Sequence, residues 1–188
     1  MLSGRRLDLL DPRPEAIEIS DIAHGLARVA RWNGQTLGTH AFSVAQHALL
    51  VEALVREQVR DASADLLRAA LLHDAPEYVI GDLISPFKAA LGLDYKTFEG
   101  RLLGAIHRRF GLPSTLPEDW THAIKVADRA AAWWEATRLA GFSIEEARLY
   151  FDPPVDGEAH VPVEVAEAWP TAEAQMAFQQ RFAALSGS

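Results

Sequence analysis

The 188-residue sequence contains no cysteine. Disulfides, thiolate nucleophiles and cysteine-ligated zinc are therefore excluded, and the absence fits a reducing cytoplasm. Basic residues are scarce relative to acidic ones, 18 Lys and Arg against 26 Asp and Glu, for a net charge of −8. A broad nucleic-acid surface needs a basic face, so none is expected. A small phosphate ester remains possible, provided local cations or a metal offset its charge. No apolar run approaches the roughly 18 residues of a membrane span, and the basic start MLSGRRLDLLDP lacks the apolar stretch of a secretory signal. Repeats and low-complexity segments are missing as well.

What is present suits one globular domain: 49% hydrophobic and 23% charged residues. Residues 1–20 are the least regular, with short extended pieces at Leu7–Leu10 and Ile17–Ile19. The rest reads as helix. Ser20 looks like the N-cap of a helix through Trp32, stopped by Asn33-Gly34. Ser43 and Gln46 fit a capping box opening a helix to about Val59. Another helix is expected from Ser63 to Asp74, ended by Pro76. A third covers Asp94–Gly111, and Thr115 with Glu118 caps a long one through Leu139. Ser143–Glu146 caps a short helix, Pro153-Pro154 marks a loop, and Thr171 opens the last helix, to about Leu185. The predicted class is an all-α bundle: an irregular segment 1–20, a core 21–139 and a helical completion 140–188.

Polar groups interrupt three apolar helices. His47 lies among Val44, Leu50 and Val51. His73-Asp74 ends LLRAALLHD beside Leu66, Ala69 and Ala70. Asp128 lies between Ile124 and Ala131. Taken singly, these are ordinary. A lone histidine on an apolar helix is usually a hydrogen-bonded core residue, a mid-helix aspartate usually faces solvent, and composition alone gives about 0.4 His-Asp dipeptides per chain. Together, two imidazoles and two carboxylates form a mixed N/O donor set that suits one divalent transition metal. The metal would also satisfy groups that are otherwise costly to bury.

On these residues the sequence resembles the HD-domain metal-dependent phosphohydrolases, and within them the bacterial 5'-deoxynucleotidases of the YfbR-like group. The resemblance runs from Asp21 to Leu139. It rests on ARW at 30–32, FSVAQH at 42–47, LLHDAPEYVIGDLISPFK at 71–88 (with HDxxE, Gly81-Asp82 and Pro86-x-Lys88) and KVAD at 125–128. It implies an HD-domain helical bundle around one divalent metal, Co, Mn, Zn, Fe or Ni, with His47, His73, Asp74 and Asp128 as ligands. Glu77 and Asp82 match catalytic acids, while Arg31 and Trp32 match a substrate-binding pair. The implied activity is hydrolysis of (deoxy)nucleoside 5'-monophosphates by a cytoplasmic homodimer. The segment from Trp32 to His47 departs from the family in length and character, which leaves substrate choice open.

Alternatives stand beside this reading. The same site could act as a dNTP triphosphohydrolase, or the domain could be a metal-stabilised nucleotide-binding module without turnover, or a helical interaction protein without metal. Glu77 could be an exposed loop carboxylate and Asp82 a turn residue. Lys88 and Lys125 are further phosphate candidates, with solvated lysines as the simpler reading. Trp133 and Trp134 read as core or interface, His107 and His122 as surface, and His40 as a loop residue, with contact to substrate as the lesser alternative. The region containing Trp169 and Phe178 reads as completion of the bundle.

Overall fold

The computed structural model describes residues 1–84, 93–151, 153–154 and 162–187. Among them are eight α-helices and no strand: α1 (Ile19–Leu26), α2 (Val44–Gln58), α3 (Ala64–Leu71), α4 (Glu77–Ile80), α5 (Leu93–Arg109), α6 (Glu118–Arg138), α7 (Ile144–Ala147) and α8 (Thr171–Ser186). The all-α expectation is met. Pro86 and Lys88 lie outside the described residues.

Helix α2 is central. Every residue from Val44 to Val55 is buried, so the helix is enclosed on all sides, as its near-continuous apolar run requires. It packs most extensively against α6, then α3, with α8 across both α2 and α3. Its buried polar groups each have a defined partner. Gln46 Nε2 donates to the carbonyls of Glu164 and Glu167, and its Oε1 accepts from Trp169 N. Glu52 takes a two-pronged hydrogen bond from Arg181 of α8 at 2.9 and 2.6 Å. His47 faces α6.

Several local expectations need correction. α1 begins at Ile19, after Glu18, without a side-chain cap from Ser20, and stops at Leu26 rather than Trp32; Arg31–Gly34 form a separate 3-10 turn. Leu9 and Leu10 form bends while Leu7 and Asp8 have no regular structure, and of Ile17–Ile19 the first residue is extended while the last already belongs to α1. Ser43 caps α2 through Gln46 N, but the Gln46 side chain is committed to the 164–169 segment, so the box is half-made. α3 ends at Leu71, not Asp74. His73 and Asp74 lie in a turn over 72–76, and Pro76 precedes α4 instead of closing α3. Pro117, not Thr115, precedes α6. The Ser143–Glu146 capping box is complete in both directions.

His107 is buried, not on the surface. The chain turns back after α5, with Leu112 N on the His107 carbonyl, and covers the ring. Trp133 and Trp134 are core residues, while His40, His122 and Lys125 are exposed.

Gly25 is required by a close approach. A Cβ there would lie 2.7 Å from the Tyr78 carbonyl oxygen and 2.8 Å from its Cβ, so α1 and α4 touch backbone to backbone. Gly25→Ala is expected to force them apart and cost about 1–3 kcal/mol, the usual range for overpacking; chemical denaturation measures it.

Burial holds the His107 imidazole below its ordinary value, and the backbone of Pro113 and Ser114 offsets only part of this. Below about pH 6.5 the unfolded chain therefore takes up a proton that the native state refuses, so stability falls as pH falls. Denaturation at about pH 7 and about pH 5.5 should show this loss, and His107→Met, which cannot titrate, should shrink it.

Candidate metal centre and its cleft

Four side chains from three parts of the chain meet where α2, α6 and the 72–76 turn pack together. His47 Nε2 lies 3.2 Å from His73 Nε2, 3.4 Å from Asp74 Oδ2 and 3.2 Å from Asp128 Oδ1. His73 Nε2 lies 3.3 Å from Asp74 Oδ2 and 3.9 Å from Asp128 Oδ1. His47, His73 and Asp128 each present a donor atom within 4.8 Å of the others. The turn after α3 is what brings the second imidazole in. With α3 ended at Leu71, His73 Nδ1 comes back onto the Ala70 carbonyl at 2.8 Å, leaving the Nε2 edge toward the centre.

The donor set fits a divalent cation. Both imidazoles have their Nδ1 edge on an acceptor, Glu135 for His47 and Ala70 for His73. Two Nε2 atoms this close, beside two carboxylates, need positive charge between them, as protons or as a metal. The direction of each titration agrees. Burial and the Arg31 charge press His47 toward neutrality, but Glu135 and the hydrogen bonds of Asp128 and Asp74 outweigh them and hold it well above its ordinary value. Burial likewise opposes the upward shift of His73, which Asp74 drives. Asp74 and Asp128 are held below the carboxylate range against burial, Asp74 chiefly by the His73 charge and Asp128 chiefly by its hydrogen bond with His47.

One buried acid was not singled out in the sequence. Glu135 is fully buried. Its Oε1 meets His47 Nδ1, and its Oε2 accepts from Arg31 Nε at 2.9 Å and Trp32 Nε1 at 2.8 Å. Burial would neutralise it, yet Arg31 and His47 keep it ionised. A signal existed: Glu135 is seven residues, two helical turns, after Asp128 on α6 and so shares its face.

Asp74 and Asp128 of the centre line a cleft of about 1100 Å³. Arg31, Asp74, Glu77, Asp82, Asp128 and Arg129 supply its charged lining. Arg31 also lies 3.8 Å from Asp74 through Nη1. Glu77 opens α4 and is almost wholly buried, not an exposed loop carboxylate. Gly81, with φ of 77°, turns the chain after α4 so that Asp82 to Ile84 line the rim. Trp32 belongs to a second wall with Phe142, Tyr150 and Phe151. The Trp32 ring lies 5.9 Å from Phe142 and 5.6 Å from Phe151. The three later aromatics carried no chemical pattern in the sequence. Neither His40 nor any other residue of 33–42 lines the cleft; Leu37 instead binds the Leu139 carbonyl at the end of α6.

An all-helical bundle with a His…His-Asp…Asp set at its centre has the form of the HD-type metal-dependent hydrolases. Residues 23–128 match the 5'-deoxynucleotidase YfbR-like family, and the chain belongs to that family. The chain is also similar to RCAP_rcc00048 of Rhodobacter capsulatus, an uncharacterized protein, with 58% identity over 154 residues, 82% of this chain and 79% of that protein. To YfdR of Escherichia coli K12, also uncharacterized, it is 36% identical over 100 residues, 53% of this chain and 51% of YfdR. The family implies a divalent metal, and the His47, His73 and Asp128 group is able to hold one. No helix among the described residues is long and apolar enough to cross a membrane.

Metal stripped by chelator and returned as manganese, cobalt or zinc should raise the melting temperature. At 100-fold excess over Kd the gain corresponds to about 2.7 kcal/mol. In His73→Ala the shift should vanish, as read by calorimetry.

Proposed function

We propose that the protein is a metal-dependent phosphohydrolase that removes the 5'-phosphate of (deoxy)nucleoside monophosphates, releasing nucleoside and orthophosphate. The observation that carries this reading is the convergence of two imidazole Nε2 atoms on two carboxylates that line a cleft with an aromatic wall. His47, His73, Asp74 and Asp128 would hold the cation. When bound, the cation would polarise a phosphate oxygen and ease deprotonation of the attacking water.

The remaining roles fall to the chain itself. Water attacks phosphorus in line as the bond to O5' breaks. Glu77, buried at the start of α4 beside Asp74 and lining the cleft, accepts the water proton and returns it to the departing O5'. Asp82 on the rim orients the water or the sugar. The Nη edge of Arg31, whose Nε is already committed to Glu135, offsets phosphate charge. Trp32 and the neighbouring aromatics pack against sugar and base.

Charge favours a monophosphate over a triphosphate. Among the described residues the cleft offers four carboxylates and two guanidinium groups, which one divalent cation only brings to balance. A triphosphate would carry further negative charge along an apolar wall. We infer a cytoplasmic homodimer as the working form from the family resemblance, and the cysteine-free sequence fits a reducing compartment.

Deoxynucleoside monophosphates incubated with cobalt, manganese or zinc should release orthophosphate. Glu77→Gln should keep the metal and lose turnover by about 10²-fold or more. Release of tripolyphosphate from dNTPs, with monophosphates inert, would replace this reading with a triphosphohydrolase. Nucleotide binding without any turnover would leave a binding module.

A further inference from the structure

Among the described residues, Glu135 is the fully buried acid beside the cleft to which the proposed reaction gives no part. A carboxylate has two acceptor oxygens, and Glu135 uses both. Oε1 is on His47 Nδ1, while Oε2 carries Arg31 Nε and Trp32 Nε1 together. The donors come from α2 and from the Arg31–Gly34 turn, so two other parts of the chain are held to α6 by one side chain. A plain ion pair with Arg31 would explain one of these contacts. It would not explain the imidazole on the other oxygen, nor the indole sharing the first.

Each contact has a consequence at the site. Acceptance from His47 Nδ1 keeps a proton on that nitrogen and leaves Nε2, the nitrogen a cation would take, facing His73, Asp74 and Asp128. Acceptance from Arg31 Nε sets the plane of the guanidinium, whose Nη1 lies 3.8 Å from Asp74 and whose remaining edge opens on the cleft. Acceptance from Trp32 holds an indole whose own backbone is unfavourable, with φ of 55° and Asn33 following at 50°. Non-glycine residues keep such angles only where their surroundings impose them.

We propose that Glu135 is the positioning residue of this centre. It sets the tautomer and ring plane of His47 for a divalent cation and ties that ligand to Arg31 and Trp32, so that one carboxylate couples cation binding to substrate binding. The proposal rests on the reading of the cleft as a metal-dependent nucleotidase site.

The test uses the full chain and zinc as the probe, titrated against a chromophoric chelator. Glu135→Gln keeps the shape, but a carboxamide has one acceptor oxygen and turns an NH₂ toward either His47 or the Arg31–Trp32 pair. Zinc affinity should fall about 10–100-fold, and at saturating zinc the KM for a deoxynucleoside monophosphate should rise. Glu135→Asp, which restores the charge at shorter reach, should recover part of both. Nitrogen-15 spectra of the zinc-loaded wild type should place the His47 proton on Nδ1; a proton on Nε2 overturns the proposal even if neither variant folds. Unchanged zinc affinity in folded Glu135→Gln overturns it too, because a merely structural acid would lower the melting temperature and leave that affinity alone. Weakened zinc binding with an unchanged KM overturns the coupling. A wild type that binds no zinc removes the metal reading itself, and this proposal with it.

Discussion

A helical core tolerates ionisable groups only where charge is returned to them locally. Here two imidazoles and two carboxylates have been brought to the junction of α2, α6 and the turn after α3, with a third carboxylate behind them. The local packing depends on positive charge sitting among these groups. Their mutual shifts, with histidines driven up and aspartates driven down against burial, are what such a cluster does when only protons supply that charge. A divalent cation would supply that charge in their place.

The scaffold makes this tolerable by satisfying the other polar groups around it. On α2 the residue before the first imidazole, Gln46, clamps the 164–169 segment, and Glu52 is matched by Arg181 of α8. These bonds fix the rotation of α2, and rotation decides where His47 points. Behind the site, Glu135 gathers an imidazole, a guanidinium and an indole. The cleft thus has hydrogen-bonded polar groups on one side and aromatic rings on the other.

Much of the site was legible in one stretch. LLHDAPEY places His73, Asp74 and Glu77 within five residues; Asp74 and Glu77 line the cleft and His73 meets Asp74 at the centre. Arg31 and Trp32 were singled out by the family resemblance of ARW at 30–32, not by any local pattern of their own. Glu135 was not. It follows two tryptophans and reads as the polar edge of a core helix; only its two-turn spacing from Asp128 hinted otherwise. Phe142, Tyr150 and Phe151 were equally silent, since an aromatic after a helix end is usually packing. His107 was misread because nothing local says that the chain after α5 folds back over it.

The sequence by itself determined the helical class, the donor types and their order along the chain, because hydrophobic period, capping serines and short motifs are local properties. Tertiary structure alone decided which nitrogen of each histidine faces inward, that Glu135 holds three partners from elsewhere, and that late aromatics close the cleft. Those are matters of distance between residues as many as about a hundred positions apart, such as His47 with Glu135, and no local pattern encodes a contact whose geometry depends on how several helices rotate against one another.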